Sequence, residues 1–273
     1  MVDEKPKSSN RRVMKRNKKS KNENKKLKMV GLNCAGLSSK LHSFDNMLID
    51  IQPGAFFLEE TKMKRIGSIK TENSDKYQIF ELVRKQSAGG GLVFGALHSL
   101  NPTWLGEGDD EVEWLSVEIS PAGLKIRCVV GYGPQEGDRD DRKKKFWDRL
   151  EIEAAAAQNQ NTGLIIQIDG NLWAGPELVP GDPHPQNKNG QLFERFLARK
   201  PHLSVANTLE HCTGIITRYR KTKNGEEKSV LDFFILCDKV RAYFSEMLID
   251  EKNQYSLSNF HPAKLGKRVI IIQ

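Results

Sequence analysis

The chain has 273 residues, 38% of them apolar, and 22 glycines, an ordinary globular composition that excludes collagen-like and low-complexity architectures. Its net charge of +8 is concentrated at one end: residues 1–28 hold 12 Lys or Arg against Asp3, Glu4 and Glu23, a net +9, leaving the remainder at −1. No run of about 18 apolar residues occurs, so hydropathy gives neither a spanning helix nor a membrane partner.

Taken in order, residues 1–26 are too polar to bury the surface that would offset their ordering entropy, and are expected to form a disordered basic tail. Arg11-Arg12, Lys15-Arg16-Asn17-Lys18-Lys19 and Lys25-Lys26 suit nuclear import, phosphate binding by counterion release, or simple solvation. Residues 27–273 then alternate strand and helix patterns with no Pro/Ser-rich linker, which favours one domain. Strand-like runs are Leu27–Leu32, Ala55–Leu58, Tyr77–Val83, Gly91–Leu97, Val112–Ile119, Leu124–Tyr132, Gly163–Ile168, Leu203–Ala206, Ser229–Leu236 and Arg268–Ile272. Helical spacing of apolar residues marks Leu41–Ile51, Arg142–Ala157 and Gln191–Arg199. Ile215–Leu236 reads as a hairpin around Lys223-Asn224-Gly225, with Arg218, Arg220, Lys221, Lys223 and Lys228 on its arms. It is either a groove-binding element or a Lys-rich strand edge that discourages pairing. Cys34, Cys128, Cys212 and Cys237 lie far apart, without Cys-x-x-Cys pairs, and are expected to be reduced. With no secretory leader in sight, the expected location is nuclear or cytoplasmic.

Polar residues recur where apolar runs end. Ile165-Ile166-Gln167-Ile168 delivers Asp169 and Asn171, two apart and therefore on the same side of an extended chain. The carboxylate suits a base or water-orienting group and the amide suits a phosphoryl oxygen. Ala55–Leu58 ends in Glu59-Glu60-Thr61-Lys62, where Glu60 is the candidate ligand for a hard cation, and Met29–Leu32 ends in Asn33, which either completes that site or holds Glu60. Each residue taken alone also reads as a strand-end cap.

The order Leu32-Asn33, Glu60-Thr61-Lys62, Gly131-Tyr132-Gly133-Pro134, Asp169-Gly170-Asn171, Asn189-Gly190 and Ser229-Val230-Leu231-Asp232-Phe233 resembles the endonuclease/exonuclease/phosphatase superfamily. Within it, the chain is most similar to the apurinic/apyrimidinic-type endonuclease domains of non-LTR (LINE-type) retrotransposons. The resemblance implies an α/β (α+β) four-layer αββα sandwich of two mixed sheets flanked by helices. It implies Mg²⁺, with Mn²⁺ as a substitute, at Glu60 and Asn33, and catalytic roles for Tyr132, Asp169, Asn171 and Asp232. Lys62, Arg218, Arg220 and Lys221 become the candidate nucleic-acid contacts. The implied partners are DNA and a reverse transcriptase domain in a parent polyprotein, the chain itself being a monomer.

The pattern breaks near the C-terminus, where family members carry Ser-Asp-His before a closing strand. Either Ser258-Asn259-Phe260-His261-Pro262 is a degenerate version of it, or the chain stops before the motif. The second reading is favoured, so the last strand is expected to be missing and the run Val269–Ile272 to leave an uncovered apolar edge. The functional expectation is a Mg²⁺-dependent DNA-nicking endonuclease. Alternatives are an inactive remnant that binds nucleic acid and a phosphatase of the same fold.

Overall fold

A computed structural model describes residues 26–85, 89–223, 225–251, 266–267 and 270–273. In chain order the elements are β1 (Met29–Asn33), α1 (Leu41–Ile51), β2 (Ala55–Glu59), β3 (Tyr77–Leu82), β4 (Leu92–Leu97), β5 (Thr103–Glu107), β6 (Glu113–Ile119) and β7 (Ile126–Tyr132). There follow α2 (Asp140–Asn159), β8 (Gly163–Asp169), α3 (Lys188–Arg199), β9 (Leu203–Val205), β10 (Cys212–Thr213), β11 (Arg218–Thr222) and β12 (Gly225–Ser229). The chain closes with β13 (Asp232–Cys237), α4 (Asp238–Arg241), β14 (Met247–Ile249), β15 (Gly266–Lys267) and β16 (Ile270–Ile272). No helix among the described residues is long and apolar enough to cross a membrane.

Two mixed sheets pack face to face. One has the order β10-β14-β16-β1-β2-β4-β3, the other β5-β6-β7-β8-β13-β9. Strand alternation assigns their faces. Val30, Leu32, Phe56 and Leu58 face α1, whose Phe44, Leu48 and Ile51 repeat at helical spacing and are buried against them. Gln52 ends α1 in the left-handed conformation (φ 52°), and Pro53 follows. On the other face, Phe57 meets Phe94 and, across the sandwich, Phe234, with ring centroids 5.5 Å apart in the second pair. Gly31 sits at this contact: a Cβ there would lie 2.7 Å from the Phe234 ring, so the sheets approach more closely than any larger residue allows. The outer face of the second sheet carries α2 and α3, whose Phe146, Trp147, Phe193 and Phe196 are buried, Phe193 against Phe233 at 5.2 Å. Helix, sheet, sheet and helices make the expected four layers.

Two expectations need correction. The hairpin is shorter than predicted: Gly225 is already paired, with Thr222, and the second arm stops at Ser229. After Val230-Leu231 the chain enters a different sheet as β13, which a run of apolar residues conceals. The aliphatic end is not an exposed edge either. β16 lies inside the seven-stranded sheet, antiparallel to β1 on one side and to β14 on the other. Gly266-Lys267 is a separate short strand that pairs with Arg218 and Tyr219 of β11, in a different sheet from β16. The Ser258–Pro262 segment, with His261, lies outside the described residues, as do residues 1–25.

Candidate active site

Register places the polar strand ends in two facing rows. In the first sheet Asn33 lies beside Glu59. In the second, Tyr132 lies beside Asp169, and Asp169 beside Asp232. The rows meet through one side chain. The Asn33 amide uses its two hydrogens on two carboxylates, Glu60 Oε1 at 2.9 Å and Asp169 Oδ2 at 2.6 Å. Its carbonyl accepts the Ala35 N–H at 3.0 Å, so Asn33 fixes Glu60 rather than leading with its own oxygen. Tyr132 donates its hydroxyl to the same Glu60 Oε1 at 3.2 Å.

The loop bearing Glu60 is held from both sides. Gly36 and Leu37 donate their N–H groups to the carbonyls of Glu60 and Thr61, and Thr61 and Lys62 donate theirs to the carbonyls of Gly91 and Gly90. Gly90 has φ 61°, and a Cβ on it would meet Glu113 Oε2 at 2.3 Å, so the triple-glycine run lets backbone pass beside the Arg84–Glu113 ion pair. Glu113 also accepts the Gly91 N–H at 2.8 Å. Burial raises the Glu113 carboxyl, while the Gly91 N–H and Arg84 oppose that rise.

Asp169 is fully buried beneath the cleft, with Oδ1 accepting the Asn171 N–H at 3.1 Å and its own N–H donated to Glu59. Asn171 takes the left-handed conformation (φ 44°) and donates its amide to the Gly133 carbonyl at 2.8 Å. Asn189, in the first turn of α3, donates to the carbonyls of Pro134 and Gly170 at 2.7 and 3.2 Å and accepts the Trp147 indole N–H. It braces the loops carrying Tyr132 and Asn171. Asp232 is buried, with its N–H and that of Leu231 both donated to Thr217 Oγ1. Burial, then the charges of Asp169 and Glu60, hold the Tyr132 phenol far above its ordinary range, so it is a proton-bearing donor near neutral pH.

Glu60 and Tyr132 sit where two clefts join, of 320 and 280 Å³. One adds Lys62, Arg84, Gly90 and Arg142; the other adds Asn171, Trp173 and Arg218. Arg84 and Arg142 were missed by sequence reasoning. Arg84 follows a strand that ends at the same pole, the signal that picked out the other site residues. Of the four candidate nucleic-acid contacts, Lys62 and Arg218 line the cleft. Arg220 and Lys221 lie out on the hairpin, directly across from Glu227 and Glu226, which dilute its positive charge.

Among the described residues, no group of three or more His, Cys, Asp and Glu side chains could hold a metal ion. The donor set still fits a hard cation that takes one or two carboxylates and fills its shell with water and phosphate oxygens. Glu60 presents a partly exposed carboxylate to the cleft, its Oε2 3.3 Å from Lys62 Nζ.

This four-layer fold, two mixed sheets between helices, recurs in solved structures. The chain is similar to the endonuclease domain of TRAS1, a telomere-specific non-LTR retrotransposon (11% identity, TM-score 0.63, covering 91% of this chain and 98% of that one). It is also similar to the 3′-5′ exonuclease NExo from Neisseria meningitidis (13% identity, TM-score 0.67, covering 90% and 99%). A third likeness is to the AP endonuclease LMAP from Leishmania major (14% identity, TM-score 0.69, covering 90% and 86%). No protein-family model and no curated protein matches the chain by sequence.

Proposed function

We propose that this chain is a divalent-cation-dependent phosphodiesterase that nicks DNA, of the kind found in retrotransposon endonuclease domains next to a reverse transcriptase. The observation that carries this reading is the Asn33 amide bridging Glu60 and Asp169, which ties Glu60, in a cleft lined with cations, to a carboxylate of the opposite sheet buried beneath it. Mg²⁺ or Mn²⁺ bound at Glu60 would supply Lewis-acid stabilisation of the phosphate. Asp169 aligns or deprotonates the attacking water, and Asn171 and the protonated Tyr132 phenol support the developing charge on the phosphoryl oxygens. Lys62, Arg84 and Arg218 hold the flanking phosphates.

Supercoiled plasmid incubated with Mg²⁺ should be nicked, and EDTA should stop it. Glu60→Gln and Asp169→Asn should each lower the rate by about 100-fold or more, as deletion of a preorganised acid–base or charge-stabilising group does. Unchanged rates in both variants would remove this site from the chemistry.

A second reading, an inactive nucleic-acid-binding protein, is favoured by the Lys62 ammonium, which already neutralises the Glu60 oxygen a cation would use. The sequence also has no Ser-Asp-His. His261, its candidate substitute, lies outside the described residues. Plasmid binding without nicking in Mg²⁺ or Mn²⁺ would select this second reading.

A further inference from the structure

Phosphate contacts position a strand and do not read its bases. One aromatic residue in the cleft is suited to the other task. Trp173 belongs to neither hydrophobic core cluster, and it lines the same cleft as Glu60, Tyr132 and Arg218. Its indole stacks on the His184 ring, with centroids 4.4 Å apart and planes within 14°. Both residues are held in place. The Trp173 backbone N–H donates to Asn187 Oδ1 and its backbone carbonyl accepts the Asn187 N–H, each at 3.1 Å. His184 Nε2 lies 2.8 Å from the Lys228 carbonyl, which can only accept and so makes Nε2 the donor. Lys228 belongs to β12, the strand hydrogen-bonded to Arg218, so the ring pair is tied to the hairpin that supplies a cleft cation.

We propose that Trp173, backed by His184, is a stacking platform for an unpaired nucleobase of the strand held in the cleft. This rests on the nucleic-acid reading above and refines it: the preferred substrate carries an unstacked base beside the phosphate at Glu60. An indole already ordered by a second ring loses little freedom when a base settles on it, and a single base–aromatic stack changes affinity by about 5- to 150-fold.

The test compares, in EDTA, binding of the full chain to a short oligothymidine and to the same strand with abasic residues at its central positions. Wild type should prefer the base-bearing strand by about 10-fold and show indole quenching with that strand alone. Trp173→Ala should lose the preference while keeping its affinity for the abasic strand, and Trp173→Phe should keep most of the preference and lose the quenching. No preference in wild type, an undiminished preference in Trp173→Ala, or equal weakening toward both strands would overturn the proposal. Base preference without Mg²⁺-dependent nicking would leave the platform standing and refute the phosphodiesterase; nicking without base preference would do the reverse.

Discussion

Four non-glycine residues with positive φ crowd the cleft: Ala35, Glu60, Lys62 and Asn171, at 44–52°. Each such conformation costs about 1–3 kcal/mol, so the surrounding hydrogen bonds must over-determine it, and the outcome is a carboxylate pair held in place before any ligand arrives. Asn33 is the residue on which that pair depends. Asn33→Asp replaces its shared donor with a third carboxylate beside two others and should destabilise the cation-free protein by about 3–5 kcal/mol, the usual cost of a broken buried charge network. A cation bound at Glu60 would relieve the repulsion, so millimolar Mg²⁺ should raise the thermal midpoint of the variant more than that of wild type. Equal Mg²⁺ shifts in both would place the cation elsewhere.

The elements that build the site are the ones whose patterns are cleanest in the sequence. α1 matches its predicted bounds because its apolar spacing and its stop at Gln52-Pro53 agree, and β1, β2, β7 and β8 end where apolar runs meet Asn33, Glu59, Tyr132 and Asp169. What escaped has physical causes. In β5 a bulge between Trp104 and Gly106 breaks the alternation that marks a strand. β10 and β14, of two and three residues, are too short to show a period. Arg142 reaches the cleft from within α2, through contacts distant in sequence that no local pattern carries. β16 was misjudged because its partners, β1 and β14, are set by topology. It is an interior strand, so deleting residues 266–273 should remove the pairing that joins β14 and β10 to the sheet, together with β15 beside Arg218. Loss of the cooperative thermal transition is the expected result. An unaltered transition would show that the sheet closes without β16.

At the scale of the whole molecule the charge is divided in an unusual way. The cleft cations are largely matched: Arg84 pairs with Glu113, Lys62 with Glu60 and Arg142 with Asp138, and everything after residue 28 sums to −1. On the proposed DNA substrate, steering and counterion release would therefore come mainly from the N-terminal residues. Lys26, where the described residues begin, lies at the pole away from the cleft, since it pairs with Glu246 just before β14 and β1 runs from there to Asn33. A chain of 25 residues reaches up to about 85 Å when extended, enough to follow DNA past the body without entering the cleft. Removing residues 1–25 should thus separate affinity from chemistry. If about six of their cations contact duplex phosphates, the slope of log affinity against log salt should shrink by about 5, while the nicking rate at saturating plasmid stays as it was. An unchanged slope would assign binding to the cleft alone, and a fall in the saturated rate would mean that these residues also act on the bound strand at Glu60.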